Sequence, residues 1–263
     1  MIAKKKISLI KSLTQKKFRQ KEQLILVEGD KLVSEILNSK IHIKELFATE
    51  IFLNESKNLL YKVEMITEIT AEEIKKASLM KNPQHCLAIC QLPPEEKLPE
   101  SITGISFFLD GIQDPGNLGT IIRTCDWFGM EYVFCSPDTV DVYNPKVIQS
   151  SMGSFHRMKI VYTEFEELNL ICSKSPIPVL GTFIEGKSLF SFEFPSDVLV
   201  VMGNEGNGIR PEVAKKISTK LYIPSFNSGK PGAESLNVAV VSGIIGSEFR
   251  RQSTGHTFIQ NES

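Results

Sequence analysis

The sequence predicts an α/β protein in two parts: a smaller α/β domain, then a larger one built on a parallel sheet. Three observations carry that prediction. Short apolar runs alternate with amphipathic ones along the chain, the mark of strands interleaved with helices. The alternation breaks once, at "PPEEKLPES" (residues 93–101), where proline and charge replace periodicity, and then restarts. Beyond the break the strand-like runs are apolar throughout, as strands are when helices cover both sheet faces. The expected division is residues 1–95 as first domain, 96–102 as linker and 103–263 as second domain.

The chain opens with residues 1–21, which hold eight Lys or Arg and no Asp or Glu. Such a run either attracts phosphate or forms a solvated amphipathic helix. "LILV" then reads as a strand, "EGDKLVSEILNSK" as an amphipathic helix, and "KELFAT" and "VEMITEI" as two more strands. "TAEEIKKAS" puts Thr70 at an N-cap with Glu73 three residues on, the spacing of a capping box. "HCLAICQL" closes the first part as an apolar strand.

In the second part the strands are "ISFFLDGI", "YVFCSP", "KIVYTE", "IPVLGTFI", "VLVVMGNE" and "KLYIPS". Between them lie the helical stretches "LGTIIRTCDWF", "NPKVIQSSMGSF", "FEELNLICSK" and "PEVAKKIS", and a long last helix begins near Ser235.

With 41% hydrophobic and 23% charged residues, the composition is that of a globular protein. No apolar run reaches the length of a membrane span, and "MIAKKKISLIKSL" lacks the apolar stretch of a secretory signal, so a cytoplasmic location is expected. The cysteines (Cys86, Cys90, Cys125, Cys135, Cys172) are odd in number and scattered. Cys86 and Cys90 share one strand with no second ligand pair nearby, so neither a disulfide framework nor a metal site is expected. A net charge of −1 announces no global basic field.

In parallel sheets, ligands bind beyond the carboxyl ends of the strands, and three unusual loops fall there. In "DGIQDPGNLGTIIRTCDWFG" (residues 110–129), Pro115-Gly116 has the form of a type II turn, Asn117 that of an N-cap, and Gly129 that of a C-terminal helix stop. Ile121, Cys125 and Phe128 share a face, and Arg123 lies about 200° around from Ile121, away from that core. The second loop, "GNEGNGI" (Gly203 to Ile209), follows a continuous apolar strand. Its glycine order is not that of a dinucleotide fingerprint, and no Gly-Lys-Ser/Thr completes a phosphate loop. The third, "IPSFNSGKPGAESLNVAVVSGIIGSEF", delivers Ser235 and Asn237 to the mouth of a helix in which Ala239, Gly243 and Gly246 recur at i, i+4 and i+7. Glycine inside a helix costs about 1 kcal/mol relative to alanine, so that stripe implies close packing against another backbone, of this chain or of a second subunit.

Together, "DPGNLGTIIRT", "VMGNEGNGI" and "IPS…ESLNVAV" resemble, in order and spacing, the three signature motifs of the SpoU-type (TrmH-like) RNA ribose methyltransferases of the SPOUT superfamily, over residues 103–252. The first part, through "LILVEGDKLVSEIL" and "KELFAT", is similar to the ribosomal-protein-like RNA-binding domain that precedes the catalytic domain in many members. The resemblance implies a second domain whose tail threads a loop to form a deep trefoil knot. It also implies S-adenosyl-L-methionine bound in that knot against Thr182, Gly203, Ile223 and Leu236, and a homodimer with the site near the subunit interface.

The implied reaction is methyl transfer to a ribose 2′-hydroxyl of structured RNA, ribosomal in preference to transfer RNA. Arg123 matches the family's catalytic arginine. A guanidinium does not act as a base in proteins, so its expected work is to clamp a phosphate and steady charge on the 2′-oxygen. Asn117, Glu205, Ser235 and Asn237 match the other polar positions and are expected to orient Arg123, the ribose and the loops. The loop from Pro224 to Ser235 is longer than the family's usual form, and its Lys230 is a further candidate for phosphate. Competing classes are a non-catalytic RNA-binding protein, a base methyltransferase of a more distant SPOUT group and a nicotinamide oxidoreductase. The retained polar set speaks against the first, the arginine and "ESLN" pattern against the second, and the glycine order against the third.

Overall fold

The computed structural model describes residues 2–227 and 233–253. Lys230, and with it the centre of the lengthened loop, lies outside the described residues. The chain forms two compact units: residues 1–95 with 141–156, and residues 96–140 with 157–263.

In the first unit the basic segment folds as two helices, α1 (Lys4–Ser12) and α2 (Lys16–Glu22). Then come β1 (Leu24–Glu28), α3 (Asp30–Leu37), β2 (Ile43–Ala48), α4 (Glu50–Glu55), β3 (Val63–Glu68), α5 (Ala71–Ala77) and β4 (Cys86–Gln91). The sheet order is β1-β4-β2-β3; β4 runs antiparallel to both neighbours and β3 parallel to β2. Ile10, Leu13, Leu26, Phe47, Ile74, Leu87 and Ile89 form the core, each such burial contributing about 1.5–3 kcal/mol. The capping box forms as the sequence predicts: the Glu73 amide donates to Thr70 Oγ1 at 3.3 Å, and the Thr70 amide to Glu73 Oε2 at 3.1 Å.

Not all the N-terminal positive charge faces solvent. Lys4, Lys5 and Lys11 are exposed, whereas Arg19 is only 2% exposed. Its Nε and Nη2 donate to Asp141 Oδ2 and its Nη1 to the Leu13 carbonyl at 2.7 Å. Asp141 belongs to the excursion of residues 141–156 that packs with this unit and carries a further short helix.

The second unit contains β5 (Ile105–Asp110), α6 (Pro115–Trp127) and β6 (Tyr132–Cys135); α7 (Pro145–Ser151) is the helix of the excursion. It continues with β7 (Lys159–Tyr162), α8 (Phe165–Lys174), β8 (Val179–Ser188), β9 (Val198–Gly203), α9 (Pro211–Ala214), β10 (Thr219–Tyr222) and α10 (Val238–Ser253). The sheet order is β10-β8-β9-β5-β6-β7 and every pairing is parallel. Phe108, Phe134, Val161, Phe165, Leu199 and Val201 fill one core cluster, with Phe108 and Phe165 edge to face at 5.1 Å. Strands β5 and β9 pair from Ile105↔Val198 to Asp110↔Gly203, so the first two motif loops leave the sheet side by side. Strand β8 follows β9 only to Gly181; its register on β10 then jumps, and it resumes at Lys187.

The small-residue stripe of α10 divides. A Cβ on Gly246 would stand 2.6 Å from the Phe128 ring, so α10 lies close on the end of α6 there. The neighbour is a ring, not the backbone expected from the sequence. Gly243 has nothing within 4 Å of a Cβ built on it.

Candidate active site

The first loop differs from the expected turn. Pro115 is the first helical residue of α6, and Asp114 is the cap, its Oδ1 accepting from the Asn117 amide at 2.8 Å. Gly116 is therefore inside the helix, and the type II turn is not formed. Proline at the first helical position costs no hydrogen bond and has its φ already set, which moves the start back to the acid before it. The stop at Gly129 is as expected: φ is +61°, the Gly129 amide bonds the Asp126 carbonyl at 3.1 Å and the Met130 amide the Cys125 carbonyl at 3.0 Å.

Relieved of capping, the Asn117 side chain is available to other loops. Its Nδ2 donates to Glu205 Oε1 at 2.8 Å, and its Oδ1 accepts from Asn237 Nδ2 at 2.9 Å. Asn237 Oδ1 accepts from the Ala239 amide at 2.9 Å, capping α10. That cap leaves only the NH₂ of Asn237 to face Asn117, which in turn leaves Asn117's own NH₂ for Glu205. Three polar side chains from three motif loops are thus joined in one directed chain. The structure places Ser235 just ahead of this cap, exposed, and not in the chain.

The second loop closes on itself. The amides and carbonyls of Asn204 and Gly208 exchange bonds at 3.0 and 2.9 Å. A Cβ at Gly203 would lie 2.2 Å from the Gly208 carbonyl carbon, so no other residue fits there. Two anchors of this loop were not anticipated from sequence. Asn204 Oδ1 accepts from the Gly206 and Asn207 amides, and its Nδ2 donates to the Gly111 carbonyl at 2.7 Å, stitching the second loop to the first. Asp110, 1% exposed at the end of β5, accepts from the Arg210 backbone amide at 2.8 Å and from its Nε at 2.6 Å. An acid ending an apolar strand was the available signal, since a buried carboxylate needs a partner.

Arg123 projects from α6 into solvent, and among the described residues its side chain has no hydrogen bond or ion pair. Among the described residues no hydrogen bond joins it to the Asn237–Asn117–Glu205 chain. Its helix is fixed by Ile121, Ile122 and Cys125, all fully buried.

Gly203 ends β9, Ile223 directly follows β10, and Thr182 directly follows Gly181, the last residue of β8 paired with β9. Thr182 and Ile223 are half-buried, and Leu236, ahead of α10, is 48% exposed. The tight Gly203–Ile209 loop offers backbone groups, the flanking positions are apolar or hydroxylic, and no phosphate loop is present. These features suit a nucleoside read by the backbone more than a polyphosphate. No group of His, Cys, Asp and Glu fit to hold a metal occurs among the described residues. All five cysteines are buried and free, and burial pushes the Cys172 thiol up to about 11.

The SpoU rRNA Methylase family model matches residues 104–247, and an MRM3-like substrate binding domain matches residues 4–88. The 23S rRNA (guanosine(2553)-2′-O)-methyltransferase RlmP of Bacillus subtilis is 31% identical over 89% of this chain and 92% of its own. A putative RNA methyltransferase of the TrmH family from Porphyromonas gingivalis superposes with a TM-score of 0.83 at 35% identity, covering 96% of this chain and 99% of the other. An AdoMet-bound rRNA methyltransferase from Sinorhizobium meliloti gives 0.80 at 26% identity, covering 93% and 94%.

Proposed function

We propose, on the premise that this chain belongs to the SpoU rRNA methylase family, that it transfers a methyl group from S-adenosylmethionine to a ribose 2′-hydroxyl of ribosomal RNA. The observation that carries the reading is the bonded chain Asn237–Asn117–Glu205, which ties three distant segments together on the helix that also presents Arg123.

The methyl donor, held at the strand ends by Gly203, Thr182, Ile223 and Leu236, supplies an electrophilic carbon whose departure leaves a neutral thioether. What remains for the protein is alignment and proton removal. Arg123 grips an RNA phosphate with its planar fork and lowers the cost of negative charge on the attacking oxygen. The hydroxyl proton passes to a phosphate oxygen or to water. Glu205 has one oxygen committed to Asn117; its other oxygen accepts from a ribose hydroxyl and sets the sugar's rotation. Ser235 completes the rim from the third loop.

Two structural parts belong to the same reading. We read the tail as threaded, a reading supported by β10 standing at the sheet edge while Asn237, later in the sequence, bonds Asn117 at the start of α6, the helix that follows the central strand β5. The enzyme is a homodimer through the outer face of α10, where Gly243 is open and Val240 and Phe190 are each 52% exposed. Sedimentation should give a dimer that Val240→Glu dissociates; a wild-type monomer would remove this part. Five unoxidised thiols support a cytoplasmic location.

The test is a map of ribose methylation in ribosomal RNA from cells with and without the gene, beginning with guanosines of 23S rRNA. One 2′-O-methyl group is expected to vanish. An unchanged map, with no transfer by purified enzyme to RNA from the deletion strain, refutes the activity.

A further inference from the structure

The chain's single tryptophan, Trp127, is 84% exposed although it sits in a regular helix. Among the described residues its ring meets no other ring or cation, and its indole N–H has no acceptor. An indole normally buries its large apolar face, so one left in solvent invites an occupant. Trp127 follows Arg123 by one turn on α6, and residues four apart lie on one helix face with Cβ atoms about 5–6 Å apart.

The surroundings favour a polyanion. Asp126 is taken up by Arg157, whose Nε and Nη2 donate to it at 2.9 and 2.7 Å. Glu131 is paired with Lys159 at 2.7 Å. The carbonyls at the helix end, Phe128 and Gly129, accept from Arg250 at 2.7 and 2.9 Å. Negative charge at this end of α6 is therefore neutralised locally, and Arg123 adds uncompensated positive charge. The same contacts, with the turn at Gly129, hold the end of α6 rigid, so the indole is offered from a fixed support.

We propose that Trp127 is a stacking platform for an unpaired base of the RNA, next to the phosphate gripped by Arg123. This deepens, and rests on, the methyltransferase reading of the site. Base stacking is tolerant of sequence because every base has a π-face, so the ring supplies affinity for a splayed-out nucleotide without choosing its identity. A ribose inside a stacked duplex strand is hard to approach, and unstacked bases are what proteins capture on aromatic rings.

The experiment uses the full-length enzyme with ribosomal RNA from cells lacking the gene. Stacking on one ring is worth about tenfold or more in affinity, so Trp127→Ala should raise KM for that RNA by about this factor. Its kcat should stay within about threefold and donor affinity should be unchanged. Trp127→Phe, which keeps an aromatic face, should recover most of the loss. Because the chain has one tryptophan, its emission should be quenched by the RNA and not by the donor alone. An unchanged KM in Trp127→Ala, or emission indifferent to RNA, overturns the proposal. So does a loss traced by light scattering to dissociated subunits, which would assign the indole to a second copy. If wild-type enzyme transfers no methyl group at all, the methyltransferase reading fails instead, and quenching alone then decides whether the ring meets RNA.

Discussion

Helices α2 and α6 each carry an arginine that sequence alone would place on the surface, and the two are held in opposite ways. Arg19 is sunk into the first unit with Asp141 and the Leu13 carbonyl taking its donors. Arg123 stands in solvent with no partner among the described residues. A guanidinium whose donors are satisfied and whose charge is balanced has nothing left for a ligand, and its removal is felt by the fold. One left unsatisfied costs the fold nothing and keeps its whole fork for an anion.

The sharpest way to break this comparison is Arg19→Ala. It leaves Asp141 uncompensated in a site 15% exposed, and losing one member of such a pair costs about 3–5 kcal/mol. Denaturant unfolding should show that loss while methyl transfer per folded molecule is retained. The mirror experiment is Arg123→Ala: kcat should fall about 10²–10³-fold, as when one transition-state donor is lost, with donor affinity and melting temperature unchanged. Equal loss of turnover and donor binding would mean that Arg123 serves the cofactor site. Arg123→Lys, which keeps the charge without the fork, should recover only part of the rate.

Smaller effects sharpen the same division. Gly246→Ala forces a methyl into the Phe128 ring and should cost about 1–3 kcal/mol of stability, measured by thermal unfolding. Asn237→Ser keeps a capping oxygen for α10 but cannot reach Asn117. Stability should hold within about 0.5 kcal/mol, while turnover falls about tenfold through a misplaced Asn117 and Glu205.

The strands and most helices were legible because apolar periodicity is local. The capping box at Thr70 and the stop at Gly129 were legible for the same reason. Where two local signals competed, the reading slipped: Asp114 and Asn117 are both good caps, and the proline between them decided for the acid. Helix α4, six residues long, was missed because fewer than two turns leave too few repeats for an apolar period to stand out. The site was legible as residue types in three motifs but not as a bonded set. Asn204 to Gly111 and Arg210 to Asp110 join positions 93 and 100 residues apart, and nothing in either local pattern names the partner.

The excursion of residues 141–156 makes the first unit discontinuous in sequence: the backbone passes from one unit to the other at residues 95–96, 140–141 and 156–157. A cut in the proline-rich linker would not release two whole units, since the N-terminal piece would still need a strip translated as part of the other. A gene truncated after residue 101 would encode Arg19 without its carboxylate. This front module is thus no cassette that recombination or a cloning boundary can lift out whole, and grafting it onto another enzyme requires moving the host's own loop as well.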